Sequence, residues 1–490
     1  MWNRLNKSMM FCQMMFGLSF YGVMIILTRF FLETLQYSEA DTLMVVGAFS
    51  AVGPLFGIAG GFIIDRFLGA YRSLTLSFIS FGTGYALLVL GASMHNVPMS
   101  LAGIAVASYA RGLMFPAYQP LFKRTFESQE SFENGYPVNY SINNMGAFVS
   151  QYLFPPLVAY IGFNGGFLIS CVMATLAFVL LLITRKGLLG VSPKLDNEPV
   201  SKKNWIQFIA VSIAMIALVF YMFSDMEMGK NIVYAIGIAA LGYFAYLMTK
   251  AEAQEAKNMG AILIMVALTI AFFVYYGQMM TSMNLVAINT MKGDLFGFIP
   301  MMPEAAMAMN PLWCMVGGPL ITLVFTSLEK KDIHFSTATK VGFAFIMTAI
   351  AFGILTAAVM FIGDDVVVRP EVFLAIHFFQ ALAEVIVGSL VVAFILSAAP
   401  KHIEAFSVSL FSVATALAGV VGAVFSTGIA LEPGQQLTQS LAQSLYGNYF
   451  GAFTIAAIAL VAVAFAASKL ITKMMSGQVE ATGELQQAES

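Results

Sequence analysis

The chain has 490 residues, of which 59% are hydrophobic and only 10% charged, and its net charge is −2. So few charges cannot cover the surface of a soluble fold of this length, which leaves a protein embedded in a lipid bilayer. Cys12, Cys171 and Cys314 lie in apolar runs without metal-ligand spacing, so packing is their expected role and no metal or cofactor is expected.

Runs of about 20 apolar residues, enough to cross a bilayer, recur along the chain near residues 9–32, 43–64, 73–93, 98–121, 137–161, 163–184, 204–224, 231–249, 260–287, 307–328, 338–362, 372–399, 403–430 and 448–472. The first shows no small-residue cleavage site and reads as a retained span, not a signal peptide. Turn residues separate the runs, as in Gly162-Phe163-Asn164-Gly165-Gly166, Leu431-Glu432-Pro433-Gly434 and Pro400-Lys401. The pattern divides the chain into a bundle of six helices over 1–185, a polar cytoplasmic linker over 186–203, two further spans over 204–250, and a second six-helix bundle over 251–475. A polar tail over 476–490 is expected to be disordered. With the amino terminus inside, nineteen Lys and Arg residues fall on inner loops, while Lys230, Lys292 and Arg369 fall outside. Arg29 and Arg111 remain within spans. This bias places both termini in the cytoplasm.

One carboxylate interrupts the run 372–399. Glu384 lies near its middle, where a charge costs about 2.5–3.5 kcal/mol or more and normally faces a cavity, a partner or a proton path. His377 and Gln380 share its helical face. The three read as the polar lining of a transport route, or alternatively as a clamp between helices. The chain contains no paired nucleophile and base, phosphate-binding loop, metal cluster or basic nucleic-acid patch, so neither an enzyme nor a nucleic-acid partner is expected.

Between the second and third runs stands Gly60-Gly61-Phe62-Ile63-Ile64-Asp65-Arg66-Phe67-Leu68-Gly69-Ala70-Tyr71-Arg72, which resembles the GGxxxDRxxGxxR loop of the major facilitator superfamily. Asp65, Arg66 and Arg72 are then expected to form a charge lock that breaks as the halves rock. The resemblance implies an all-α polytopic fold of two six-helix halves, with two extra helices between them in this chain. Four further segments narrow it. Asn139-Tyr140-Ser141-Ile142-Asn143-Asn144-Met145-Gly146-Ala147-Phe148, Gln278-Met279-Met280-Thr281-Ser282-Met283-Asn284-Leu285, Ala308-Met309-Asn310-Pro311-Leu312, and Ala381-Leu382-Ala383-Glu384 followed by Ala399-Pro400-Lys401 resemble core-helix motifs of the proton-dependent oligopeptide transporters, also called the PTR family.

The resemblance implies that Glu384 and Asn310 hold a peptide amino group and that Asn144 bonds the peptide backbone, with interhelical hydrogen bonding as the alternative for both asparagines. Tyr21 retains one aromatic hydroxyl of the first-helix FxYYG stretch, and Gln278 is expected to add a polar wall. The departures are equally specific. The first-helix ExxER signature aligns with Gln13-Met14-Met15-Phe16-Gly17 and has lost every charge, while the fourth-helix lysine and its seventh-helix acid become Phe115 and Gly277. Removing both members of a buried pair leaves no orphan charge. Arg111, one turn before Phe115, is the candidate replacement for an anion contact. Arg29 either shares that role or snorkels to the interface. Proton coupling is expected at Glu384, His377 or both.

These residues point to proton-coupled uptake of di- or tripeptides, or of a related compound carrying an amine and a carboxylate, by a monomer in a bacterial inner membrane. The alternative is export of a peptide-like metabolite, amine or drug by proton antiport. A non-transporting receptor or scaffold is the third class.

Overall fold

The computed structural model describes residues 2–192 and 194–488, without the side chains of residues 58, 65, 129, 130, 133, 134, 194, 401, 405 and 477–488. Among them the chain is helical, with two isolated bridges, Met291 with Val368 and Leu295 with Ile299. Inside a bilayer the backbone has no water to bond, so it must satisfy its own amides. Thirteen helical runs are long and apolar enough to cross a membrane. The longest contains two crossings, because Gly162 has a φ of 71° and breaks it in a left-handed turn that favours glycine.

The helices are α1 (Arg4–Arg29), α2 (Glu39–Ile63), α3 (Ala70–Met94), α4 (Val97–Arg124), α5 (129–161), α6 (163–183), α7 (Lys202–Ser224), α8 (Met226–Met248), α9 (Ala253–Gly277, extended by a π turn over Met279–Met283 and by Asn284–Thr290), α10 (Met309–Glu329), α11 (Thr337–Met360), α12 (Pro370–Ala398), α13 (Glu404–Ser426) and α14 (Asn448–Ala488). Many begin at a side-chain cap: Asn3 for α1, Ser38 for α2, Asn96 for α4, Ser201 for α7, Asp225 for α8 and Ser336 for α11. Each cap satisfies a donor that the first turn leaves open where the chain enters the bilayer. The architecture is the expected one: α1–α6 and α9–α14 form two six-helix halves, and α7 and α8 are the extra pair. α7 is tied to α4 by Tyr109 and Ser212, whose hydroxyls lie 2.5 Å apart.

Small residues let α1 and α5 touch through their backbones. A methyl group on Gly17 would come within 2.7 Å of the Asn143 carbonyl oxygen, and one on Gly146 within 2.7 Å of that of Met14. Gly17 stands where the family carries the arginine of ExxER, so here that volume is taken up by helix contact.

The two halves meet most firmly at the end of the bundle that carries Glu33, Glu39 and Asp41. Arg29 of α1 pairs with Glu304, in the 3-10 turn Pro303–Ala308 that leads into α10. Asn284 donates to Thr28 at 3.3 Å, and Tyr152 donates to the Pro300 carbonyl at 2.6 Å. Glu39 accepts from Asn289 at 3.2 Å and from the Leu431 amide at 2.7 Å. α2 and α13 pack closely enough that a methyl on Gly47 would meet Ala423 and one on Gly419 would meet Ala51. These contacts pin the acidic end shut.

At the opposite end the linker folds back on the loop after α2. Gly69, with φ 81°, precedes α3 and offers no side chain to cap it. Asp196 of the linker supplies the cap instead, accepting from the Tyr71 amide at 3.0 Å. Arg72 donates to the carbonyls of Leu68 (3.2 Å), Leu195 (2.9 Å) and Glu198 (2.6 Å). Arg66 is exposed, with its guanidinium 5.7 Å from the Phe62 ring centre. The side chain of Asp65 lies outside the described residues, and the partners seen for Arg72 are backbone carbonyls.

Burial pushes the Asp196 carboxyl above the usual aspartate range, while the Tyr71 and Arg72 amides and the Arg72 guanidinium pull it down. A raised folded pKa means that the folded state holds the proton more tightly. Its contribution to stability therefore falls as pH rises from the unfolded value through the folded one. Asp196→Asn, which keeps an acceptor, should flatten this part of the pH dependence. Asp196→Ala should lose the cap, at about 1 kcal/mol. Thermal unfolding of the purified protein between pH 4 and 8 checks both; equal melting curves for the three proteins would refute the cap.

Candidate functional site

The site lies between the halves and is built around Glu384 of α12. Its Oε1 accepts a hydrogen bond from the Tyr276 hydroxyl of α9 at 3.2 Å. Its Oε2 accepts from the Cys314 thiol of α10 at 3.3 Å. One turn earlier on α10, Asn310 is buried beside the same carboxylate. The Asn310 Oδ1 lies 3.8 Å from the Cys314 sulfur, and its side chain is a hydrogen-bond partner of Glu384.

The N-terminal half contributes Tyr140 of α5, whose hydroxyl lies against Cys314 and faces Glu384, and Tyr21 of α1, which also faces Glu384. Tyr140 is 37% exposed. Asn144, one turn from Tyr140, donates to the Tyr140 carbonyl at 3.0 Å.

Arg111 of α4 supplies the opposite charge. It donates through Nη1 to the Ser50 carbonyl of α2 at 2.9 Å, and its Nε has no partner. Its guanidinium carbon lies 4.6 Å from the Phe20 ring centre and 6.0 Å from that of Phe115, so aromatic faces stand where a buried carboxylate would otherwise be needed. Gly53 makes room for the side chain, since a methyl there would come within 2.6 Å of Arg111 Cδ. Tyr21 and Tyr276 neighbour both Arg111 and Glu384. The arrangement therefore offers a fixed cation and a fixed anion on opposite halves, separated by phenols. Such charges suit a ligand with an ammonium at one end and a carboxylate at the other.

Of the residues expected at the site, the structure brings together Glu384, Asn310, Tyr21 and Arg111, with Asn144 one turn from the cluster. Gln278 departs from expectation. It is fully buried, donates to the Val274 and Gly422 carbonyls, and accepts from Ser282, Ser426 and Tyr449. All of its capacity is spent tying α9, α13 and α14 together at the π turn, so it forms no cavity wall. His377 and Gln380 are buried as well. Gln380 donates to the Met283 sulfur at 3.2 Å, and neither His377 nitrogen has a partner. Only Glu384 of that stripe is partly exposed. Arg29 serves the acidic-end clamp, not the Arg111 site.

Sequence reasoning passed over Tyr276, Tyr140 and Cys314 as site residues. Two carried a usable signal: Tyr140 is four residues before Asn144 and Cys314 four after Asn310, the spacing that places side chains on one helical face.

Comparison with known proteins places this geometry. The chain is 25% identical to dipeptide and tripeptide permease A of Escherichia coli (strain K12) over 437 residues, covering 88% of this chain and 85% of that one. It is 23% identical to dipeptide and tripeptide permease B of Xenorhabdus bovienii (strain SS-2004), over 94% of both. Its fold is similar to that of a bacterial homologue of the human drug peptide transporters PepT1 and PepT2, with a TM-score of 0.83 at 22% identity over 96% of this chain and 98% of that one. It is also similar to a POT family transporter in complex with 5-aminolevulinic acid, with a TM-score of 0.81 at 19% identity over 95% and 96%. The PTR2 model of the POT family matches residues 72–443, and on that span the chain belongs to the POT family.

Proposed function

We propose that this chain takes up di- and tripeptides, driven by protons, by alternating access between its two halves. It works as a monomer in a bacterial inner membrane with both termini in the cytoplasm. The observation that carries this reading is that Tyr21 and Tyr276, one from each half, lie near both Glu384 and Arg111. Glu384 and Asn310 bind the peptide ammonium, Asn144 bonds the peptide backbone, and Arg111 takes the carboxylate. The relatives named as dipeptide and tripeptide permeases support the substrate class, and the excess of Lys and Arg on alternate loops supports the orientation.

With the first-helix ExxER charges absent, Glu384 is the carboxylate left at the site to carry the proton, and His377 on the same helix is the second candidate. The gradient acts by making one state of Glu384 more favourable in the outward-open form and the other in the inward-open form. On this orientation the contacts around Arg29 and Glu304 hold the outer side closed, and the state described is the one that releases substrate inward.

Labelled dialanine should enter proteoliposomes only when a pH gradient is imposed, and Glu384→Gln should abolish that uptake. Folded protein that takes up none would end the import reading and favour export. Arg111→Lys should raise KM for dialanine about tenfold, because an ammonium cannot reproduce the bidentate fork; an unchanged KM would remove Arg111 from the carboxylate subsite. Glu304→Gln should loosen the outer clamp, raising the outward-open population. Spin-label distances between α1 and the loop before α10 read this directly, and an unaltered distribution would show that the clamp is incidental.

A further inference from the structure

Glu384 is surrounded by donors of unequal strength, Asn310, Cys314 and Tyr276. Tyr276 gives a phenolic O–H to Oε1 at 3.2 Å, and the Cys314 S–H reaches Oε2 at 3.3 Å. A thiol is a weak donor. The same sulfur lies 3.8 Å from Asn310 Oδ1, so one weak donor serves two acceptors, a carboxylate oxygen and an amide oxygen. Beside it, the buried Asn310 side chain also acts on Glu384 as a hydrogen-bond partner.

We propose that Cys314 tunes the affinity of the site for amines: its thiol is a placeholder at Glu384 Oε2 and Asn310 Oδ1, which an incoming substrate ammonium displaces. The inference rests on the reading of Glu384 as the ammonium subsite. An ammonium brings three donors and a full charge, so it satisfies both acceptors better than the thiol does. Tyr276 stays on Oε1 throughout and keeps the carboxylate in place. Displacement also disturbs the contact between Cys314 and Tyr140. That contact joins the two halves at the site, so amine binding is felt by the interface that must rearrange.

The test is dialanine binding to the purified full-length chain in lipid nanodiscs by calorimetry, alongside uptake kinetics. Cys314→Ala and Cys314→Val both remove the competing donor, and valine also refills the volume. Each should tighten Kd about three- to tenfold, the order expected for loss of one competing hydrogen bond. KM should fall with it while kcat does not rise. Tyr276→Phe should act in the opposite sense and weaken binding. Kd unchanged or weaker in both cysteine variants would overturn the proposal. Wild type that binds dialanine without gradient-driven uptake would overturn the import reading and leave the comparison at Cys314 valid. Gradient-driven uptake with Kd unmoved by both cysteine substitutions would overturn this proposal alone. Wild type that does not bind dialanine would overturn both.

Discussion

A carboxylate in the middle of a membrane span must be hydrogen-bonded or hydrated, and the central region is organised around meeting that demand at Glu384. Helices from both halves converge on it: α9 sends Tyr276, α10 sends Cys314 and Asn310, α5 sends Tyr140 and α1 sends Tyr21. The phenols satisfy the charge without neutralising it. On the proposed function, neutralisation is left to the substrate ammonium, and a fixed ion pair at the same place would compete with that ligand for both charges. Arg111 is accordingly kept apart, held by a backbone carbonyl and aromatic faces.

The charges missing from the first helix are accounted for in the same physical terms. Gly17 and Gly146 bring α1 and α5 into backbone contact, so the volume of a long basic side chain is filled by packing. Gln13 remains as a buried amide with an unpaired oxygen. At Gly277 a methyl group would meet open space, so loss of the seventh-helix acid leaves room in that wall. The ionic work of joining the halves has passed to the acidic end, where Arg29 and Glu304 meet across the interface. On the proposed function, ligand charge and gate charge are carried by different residues, and each can change without stranding the other.

At the opposite end the described contacts of Arg72 form a mechanical tie to the linker. Arg72 grips carbonyls of the linker, and Asp196 caps α3 from a segment more than a hundred residues away in sequence. The linker therefore holds the loop after α2 in place, and through it the extra helices are joined to the first half. Because a cap needs only an acceptor at the right point, nothing in the local sequence of α3 announces which residue supplies it.

The number of spans, the two halves, the inserted pair and the family were legible in the sequence, since bilayer thickness turns each crossing into a countable apolar run and the loop motifs stand in order. Glu384 was legible for a related reason: a charge in such a run is too costly to be idle. The roles of uncharged polar residues were not. Gln278, Gln380 and Asn310 are all amides in apolar helices, yet the fold spends Gln278 on five neighbours, turns Gln380 onto a methionine sulfur, and sets Asn310 beside Glu384. Composition and spacing specify that such a group must find a partner. Which partner it finds depends on where helices distant in sequence bring their donors and acceptors, and that is decided only when the two halves pack.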